Sequence, residues 1–279
     1  MASVINTNIN SLNTQRNLSA SQGSLATSMQ RLSSGMRINS GKDDASGLAI
    51  ATKMDSQVRG MNQAIRNSND AISFAQTADG SLSKMTDSLQ RMRELAVQGA
   101  NGTTDNPSLA AEFSQLQSEI TRVSGNTKFN DTAVFTKAAA GLDFQVGAGT
   151  SATLDVVQVK TTKDVSLASS DTGAAAASGI KVDSAANSLL AITAIDKAIV
   201  EVNDTRATFG AVQNRFESII SNLQVASENQ TAAKSRIMDT DFAAETANLS
   251  RANILQQAGT AMLAQANSSP NGVLALLRG

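Results

Sequence analysis

Apolar residues recur three or four positions apart along most of this chain, and the pattern is strongest over residues 58–96. This is the heptad spacing of a helix that packs along one stripe of its surface. An N-cap residue, Asp43 or Asp44, precedes the stripe and Gly99 follows it, so we predict one long helix. The stripe consists of Val58, Met61, Ile65, Ser68, Ile72, Ala75, Ala78, Leu82, Met85, Leu89, Met92 and Ala96.

Two further segments repeat this spacing. Residues 107–125 begin with a proline after Asn106, which is typical of a helix start, and residues 184–236 hold a nearly unbroken heptad register. A helix with one apolar stripe is stable mainly through what it packs against. We therefore predict a mainly α fold, in which an elongated antiparallel helical bundle or coiled coil is built from both halves of the chain.

A small β-hairpin is predicted between the helical segments. Leu142, Phe144 and Val146 alternate with polar residues, and a second alternating run ends at Val159. The rest of residues 136–183 consists mainly of Ala, Ser, Thr and Gly, which is too little apolar surface for a core of its own. We interpret it as a short variable surface loop.

The two ends of the chain also show helical spacing, with fewer apolar residues and, in residues 1–73 and 243–279, no aromatic side chain. We expect the C-terminal helix to break at Pro270. The arms are predicted to pair through apolar residues of the N-terminal segment, Ile5, Ile9, Leu12, Leu25, Met29 and Leu32, and of the C-terminal segment, Leu255, Met262, Leu263, Leu274 and Leu277.

Composition excludes several functions. The chain has no His, Cys, Trp or Tyr, so the usual catalytic bases, thiol nucleophiles and zinc ligands are missing, and we predict no enzyme activity and no cofactor. A net charge of −1 gives no basic surface for nucleic acid, and the C-terminal apolar stretch is too interrupted for membrane insertion. The acidic pairs Asp43-Asp44 and Asp239/Asp241 are interpreted as helix caps, so no metal is predicted.

Both termini resemble those of bacterial flagellin. The resemblance is carried by residues 1–17 (MASVINTNINSLNTQRN), 253–279 (NILQQAGTAMLAQANSSPNGVLALLRG), 32–51 (LSSGMRINSGKDDASGLAIA) and 89–103 (LQRMRELAVQGANGT). It covers the whole chain except about residues 136–183. It implies a structural subunit that leaves the cell through the type III export channel and polymerises into the extracellular filament for swimming.

The resemblance also implies a domain organisation. Residues 1–42 and 237–279 form the arms of the filament-core domain. Residues 43–183 form the N-terminal part of the helical-bundle domain, with the hairpin and the short variable loop, and residues 184–236 its C-terminal helix. The chain is then a short flagellin that has only the inner domains.

Partners are implied in the same way. They are further copies of the chain, the filament cap, the hook–filament junction protein, the export chaperone, the export gate and the vertebrate flagellin-sensing Toll-like receptor. In flagellins that this receptor recognises, one surface of the long helix is the main contact. The matching residues here are Gln90, Arg91 and Leu95, with Glu112 on the next helix.

Alternatives remain within the family and outside it. The hook–filament junction protein shares the paired termini, and a cytoplasmic coiled-coil scaffold would explain the heptads equally well. The arms alone are compatible with a closed pair in the monomer. Together with the resemblance, we favour arms that are largely disordered in the free subunit and fold on assembly.

Overall fold

Helices make up most of the protein in the computed structural model, which describes residues 7–101, 106–149, 151, 155–160 and 181–276. The predicted mainly α fold, with a helical bundle and a small hairpin, is confirmed. The elements in chain order are α1 (Ile9–Ser34), α2 (Ala45–Gly99), α3 (Asn106–Asn126), β1 (Lys128–Phe129), β2 (Thr132–Ala133), α4 (Val134–Ala140), β3 (Leu142–Gln145), β4 (Val156–Val159), α5 (Ala185–Met238) and α6 (Phe242–Leu276).

The structure divides into two compact units, each drawing on both halves of the sequence. One unit consists of Met1–Ser56 and Asn229–Gly279, and the other is Gln57–Glu228. The predicted domain boundaries, after residue 42 and before residue 237, stay predictions. Residues 161–180, most of the predicted variable loop, lie outside the described residues.

The three predicted apolar stripes pack together to form the core of the second unit. Helix α2 contributes the stripe centred on Leu82 and Leu89, helix α5 contributes Phe209 and Phe216, and helix α3 contributes Phe113. All of these side chains are almost completely buried. The stripe spacing therefore identified the packed faces of these helices correctly.

Phenylalanines fill the centre of this core. The ring of Phe74 lies 6.0 Å from the rings of Phe129 and Phe144 and 6.4 Å from that of Phe209, measured between centroids. Phe144 in turn contacts Phe216 edge-on at 5.8 Å. Edge-to-face and tilted arrangements of this kind are the preferred geometry of aromatic pairs.

The predicted hairpin is strands β3 and β4, which pair antiparallel with Leu142 opposite Val159 and Phe144 opposite Val157. These residues share the face that joins the core. On the opposite face the Gln158 side chain donates a hydrogen bond to the Asp143 carboxylate at 3.0 Å. The alternation of apolar and polar residues thus follows the two sides of the hairpin.

A second, shorter hairpin was not predicted from the sequence. Strands β1 and β2 are two residues each, and the turn between them places Asn130 and Asp131 at φ values of 48° and 60°. Asn and Asp tolerate this left-handed region better than other non-glycine residues. The turn sets Phe129 against Phe74 in the core.

The predicted break of the C-terminal helix at Pro270 is wrong. Helix α6 continues through this position to Leu276. A proline inside a helix removes one backbone hydrogen bond, and the flanking turns can keep their own bonds when the helix continues beyond it.

Candidate functional site

The arms meet as an antiparallel pair of helices, α1 and α6. Near the start of α1 the Asn8 side chain donates a hydrogen bond to the Ala266 carbonyl at 2.7 Å, and the Ser11 hydroxyl donates to the Asn267 side chain at 2.7 Å. At the other end of α1, Arg31 forms an ion pair with Glu245, with 3.9 Å between Nη1 and Oε2. The predicted pairing of the two terminal segments is therefore present in the structure.

Small and polar residues line the surface between these two helices. Ser11, Ser28 and Ala252 are buried there, and the Glu245 carboxylate beside Arg31 is buried as well. A Cβ atom at Gly259 would lie 3.1 Å from the Leu18 side chain, which indicates how closely the helices approach. The pair is consequently held by close backbone approach and a few hydrogen bonds more than by large apolar side chains.

The predicted apolar stripes of the arms divide into two groups. Leu25, Leu32 and Leu263 are half-buried. The larger group faces outward, with side chains that are 51–66% exposed: Ile9, Leu12, Met29, Leu255 and Met262. Ile254, which the sequence did not single out, is 65% exposed on the same helix as Leu255. Isolated exposed apolar residues are normal on a protein surface, but six along one helical pair indicate a surface that another molecule covers.

The structure does not describe the side-chain exposure of three predicted arm residues. Ile5 and Leu277 lie outside the described residues. Leu274 lies in helix α6, where the structure describes the helix but not this side chain. Their assignment to the assembly surface stays a prediction from the sequence.

The backbone segment that follows α1 is hydrogen-bonded to the segment that precedes α6. Gly35 ends α1 in the left-handed conformation, and its carbonyl accepts a hydrogen bond from the Thr240 N–H at 3.0 Å. The Arg37 N–H donates to the Met238 carbonyl at 2.6 Å, next to a single β-bridge between Met36 and Asp239. We call this region, residues 35–44 with 237–241, the arm joint.

Asp44 and Asp241 cap helices at the arm joint, as predicted, whereas Asp239 accepts a hydrogen bond from the Ser235 hydroxyl instead. Asp44 Oδ1 accepts the Gly47 N–H at 2.8 Å at the start of α2, and Asp241 Oδ1 accepts the Ala243 N–H at 2.9 Å at the start of α6. The pKa of Asp44 is lowered, first by the Gly47 hydrogen bond and then by that from the Ser46 hydroxyl. The pKa of Asp43 is lowered mainly by the N–H of Asn39.

No group of three or more acidic residues is placed to hold a metal ion in the part of the chain that the structure describes. No described helix is long and apolar enough to cross a bilayer.

The predicted receptor surface on α2 and α3 is brought together only in part. Gln90 is exposed on α2. The Arg91 guanidinium lies against Glu112 of α3, with 2.9 Å from Nε to Oε1, and also pairs with Glu94 at 3.0 Å. These carboxylates, Glu112 first, raise the pKa of Arg91.

Leu95 does not belong to that exposed surface. Its side chain is 1% exposed and is part of the core cluster, so a molecule docked beside Arg91 would not reach it. Leu95 lies on the same face of α2 as Met92, three residues earlier, which is also buried.

The sequence of this chain is similar to known protein families and to individual proteins. A family model described as the bacterial flagellin N-terminal helical region matches residues 5–140, and one described as the bacterial flagellin C-terminal helical region matches residues 192–277. A flagellin of Halalkalibacterium halodurans is 44% identical over 99% of this chain and 100% of its own length. A flagellin of Bacillus subtilis is 41% identical over 98% of this chain and 99% of its own.

A solved structure supports the fold alone. A flagellar hook-associated protein of Vibrio parahaemolyticus superposes with a TM-score of 0.56, covering 71% of this chain and 100% of its own. Only 14% of the aligned residues are identical.

Proposed function

The chain belongs to the bacterial flagellins, and from that premise we propose how its arms and its α2 surface serve a filament subunit. It is a structural protein, not an enzyme, and it polymerises into the extracellular flagellar filament. Nothing in the comparisons favours the hook–filament junction protein or a cytoplasmic scaffold.

The exposed apolar surface of the arms carries the proposal for assembly. Polymerisation buries this surface between neighbouring copies, and the lost water contact drives the reaction. The residues concerned are the outward group Ile9, Leu12, Met29, Ile254, Leu255 and Met262, the half-buried Leu25, Leu32 and Leu263, and, on their sequence alone, Ile5, Leu274 and Leu277.

Sparse packing between the arms supports a second step, in which they become ordered on assembly. Among the side chains of α1 and α6 that the structure describes, only a few are buried, including Ser11, Ser28 and Ala252, so the pair alone gains little hydrophobic stabilisation. Neighbouring copies would supply the missing contacts, and ordering of the arms then accompanies binding.

Limited proteolysis tests this step. Protease should trim both ends of the free subunit and spare about residues 45–235, whereas filaments of the same protein should keep both ends intact. Mass spectrometry of the fragments identifies the cut sites. Equal resistance of the ends in the monomer and in the filament would contradict ordering on assembly.

An exposed apolar arm also needs protection before assembly. We propose that a cytoplasmic export chaperone covers the C-terminal arm, where Ile254, Leu255 and Met262 face outward. The subunit then passes the export gate and the type III channel, and it contacts the filament cap and the junction protein as it is added. These partners are carried over from the family resemblance.

Recognition by the vertebrate flagellin-sensing Toll-like receptor is proposed for the exposed part of the α2 surface. Gln90, Arg91 and Glu112 lie on this surface, and the pairing of Arg91 with Glu112 fixes the guanidinium before a receptor arrives. Leu95 supports the surface from the core and makes no direct contact in this proposal.

Substitution separates a direct contact from a supporting one. Arg91→Ala should weaken receptor activation by the soluble monomer without lowering the melting temperature of the protein. The matched control is Arg122→Ala, because Arg122 is an exposed arginine on α3 that pairs with Glu119 in its own helix. Leu95→Ala should lower the melting temperature instead. Equal activation by Arg91→Ala and wild type would contradict the proposed surface.

A further inference from the structure

Methionine is the only readily oxidised side-chain type in this protein. The chain has nine Met and no Cys, Trp, Tyr or His. A peroxide that meets the folded protein therefore finds thioether sulfur as its main target. Methionine reacts to give the sulfoxide, which is polar where the thioether was apolar.

The described methionines differ strongly in exposure. Met85 and Met92 lie in the core of the second unit and are at most 2% exposed. Met29 on α1 is 57% exposed and Met262 on α6 is 61% exposed. Because oxidation follows access to the sulfur, the two arm methionines should react well before the two core methionines.

Met29 and Met262 are the most exposed of the described methionines and lie among the residues that assembly would cover, whereas Met36, in the arm joint, is 37% exposed. Met29 follows Leu25 by four positions and precedes Leu32 by three, so the three share one side of α1. Met262 follows Leu255 by seven positions on α6, which again places the two on one side. Neither sulfur is needed to close the core.

From these positions we propose that Met29 and Met262 are oxidation sites through which a peroxide converts the subunit into a folded form that does not polymerise. This inference rests on the proposed role of the arms in assembly. The peroxide O–O bond breaks and one oxygen atom forms an S=O bond with methionine Sδ. The sulfur loses two electrons, and hydrogen peroxide is reduced to water.

The consequence follows from the polarity of the product. A sulfoxide oxygen buried at a subunit contact without a hydrogen-bond donor loses its hydration, which opposes assembly. The core keeps its thioethers and the subunit keeps its fold. In a finished filament the same sulfurs are covered, so the filament resists a peroxide dose that inactivates the free subunit.

The test compares seeded polymerisation of the full-length monomer with and without hydrogen peroxide. Peptide mass spectrometry should find sulfoxide at Met29 and Met262 about tenfold sooner than at Met85 and Met92. The oxidised protein should keep its helical circular dichroism and lose filament growth. Growth should return after treatment with methionine sulfoxide reductases of both stereochemical classes and a thiol reductant.

Two double variants identify the residues, each compared with itself before and after peroxide. Peroxide should reduce filament growth of the Met29→Leu, Met262→Leu variant only slightly. It should reduce filament growth of the Met85→Leu, Met92→Leu variant as much as that of wild type. Equal loss in the arm variant would overturn the assignment of these sites. Normal filament growth of wild type that is fully oxidised at Met29 and Met262 would overturn it as well. Failure of untreated wild type to polymerise would contradict the proposed function as well.

Discussion

Replacing Ile254 by alanine should weaken polymerisation without weakening the subunit. Ile254 lies on the outward face of α6 and is 65% exposed. Burying a whole isoleucine side chain contributes about 1.5–3 kcal/mol, so the part still exposed represents about 1–2 kcal/mol for assembly to gain. Alanine forfeits most of this, about 1 kcal/mol or somewhat more.

The expected readout is the critical concentration for seeded growth. Because 1.4 kcal/mol corresponds to a factor of ten in an equilibrium constant, the critical concentration should rise about five- to tenfold. The free energy of unfolding of the monomer should change by less than about 0.5 kcal/mol, since the side chain is mostly solvated there. Sedimentation of filaments at a series of protein concentrations measures the first quantity, and chemical denaturation measures the second.

The matched control is Gln257→Ala, an exposed polar residue three positions along the same helix. This change removes little apolar area, and its critical concentration should stay within about twofold of wild type. If Ile254→Ala also polymerised at the wild-type concentration with unchanged stability, the outward face of α6 would not be the surface that assembly buries.

Three further predictions concern stability. Phe74→Ala should lower the free energy of unfolding by about 3–5 kcal/mol in chemical denaturation, because the side chain is buried among three other rings; an unchanged midpoint would contradict the described core. Gly210→Ala has open space and should stabilise by up to about 1 kcal/mol, whereas Gly60→Ala meets Ala148 at 2.6 Å and should lose that gain in the same assay. Asp44→Asn should lower the melting temperature near neutral pH but not in acid. The pKa of Asp44 is lower in the folded protein than its value of 3.8 in the unfolded chain, so the carboxylate stabilises the fold above that value, and this stabilisation is lost as the pH falls through the folded pKa. An equal difference in melting temperature between the variant and wild type at about pH 2 and pH 6 would contradict this.

Long heptad stripes made the helical core predictable from the sequence. The spacing of α2 and α5 is maintained over many turns, so each stripe identifies its own buried face and the capping residues at its start. The Asn130-Asp131 hairpin gave no comparable signal. Its strands are two residues each, too short for alternation to appear, and its position depends on the contact of Phe129 with Phe74 across the core.

The sequence predicted which segments form the candidate sites better than it predicted which side of each helix is exposed. Apolar spacing in the arms indicates helices but does not say which neighbour covers which side, and the structure pairs α1 with α6 through Ser11 and Ser28 while Met29 faces outward. For the α2 surface, the resemblance transferred Leu95 together with Arg91. Only the packing against the core separates the two, because one is buried and the other paired at the surface.

The central claim is that the arms drive polymerisation, and removing them tests it most directly. Full-length monomer and a chain without residues 1–40 and 240–279 should be incubated with short filament seeds and examined by electron microscopy, with circular dichroism to verify that both are folded. We expect long uniform helical filaments from the full chain and none from the folded, truncated chain. Filaments from the truncated chain, or a full chain that stays monomeric with protease-resistant helical ends, would contradict the account.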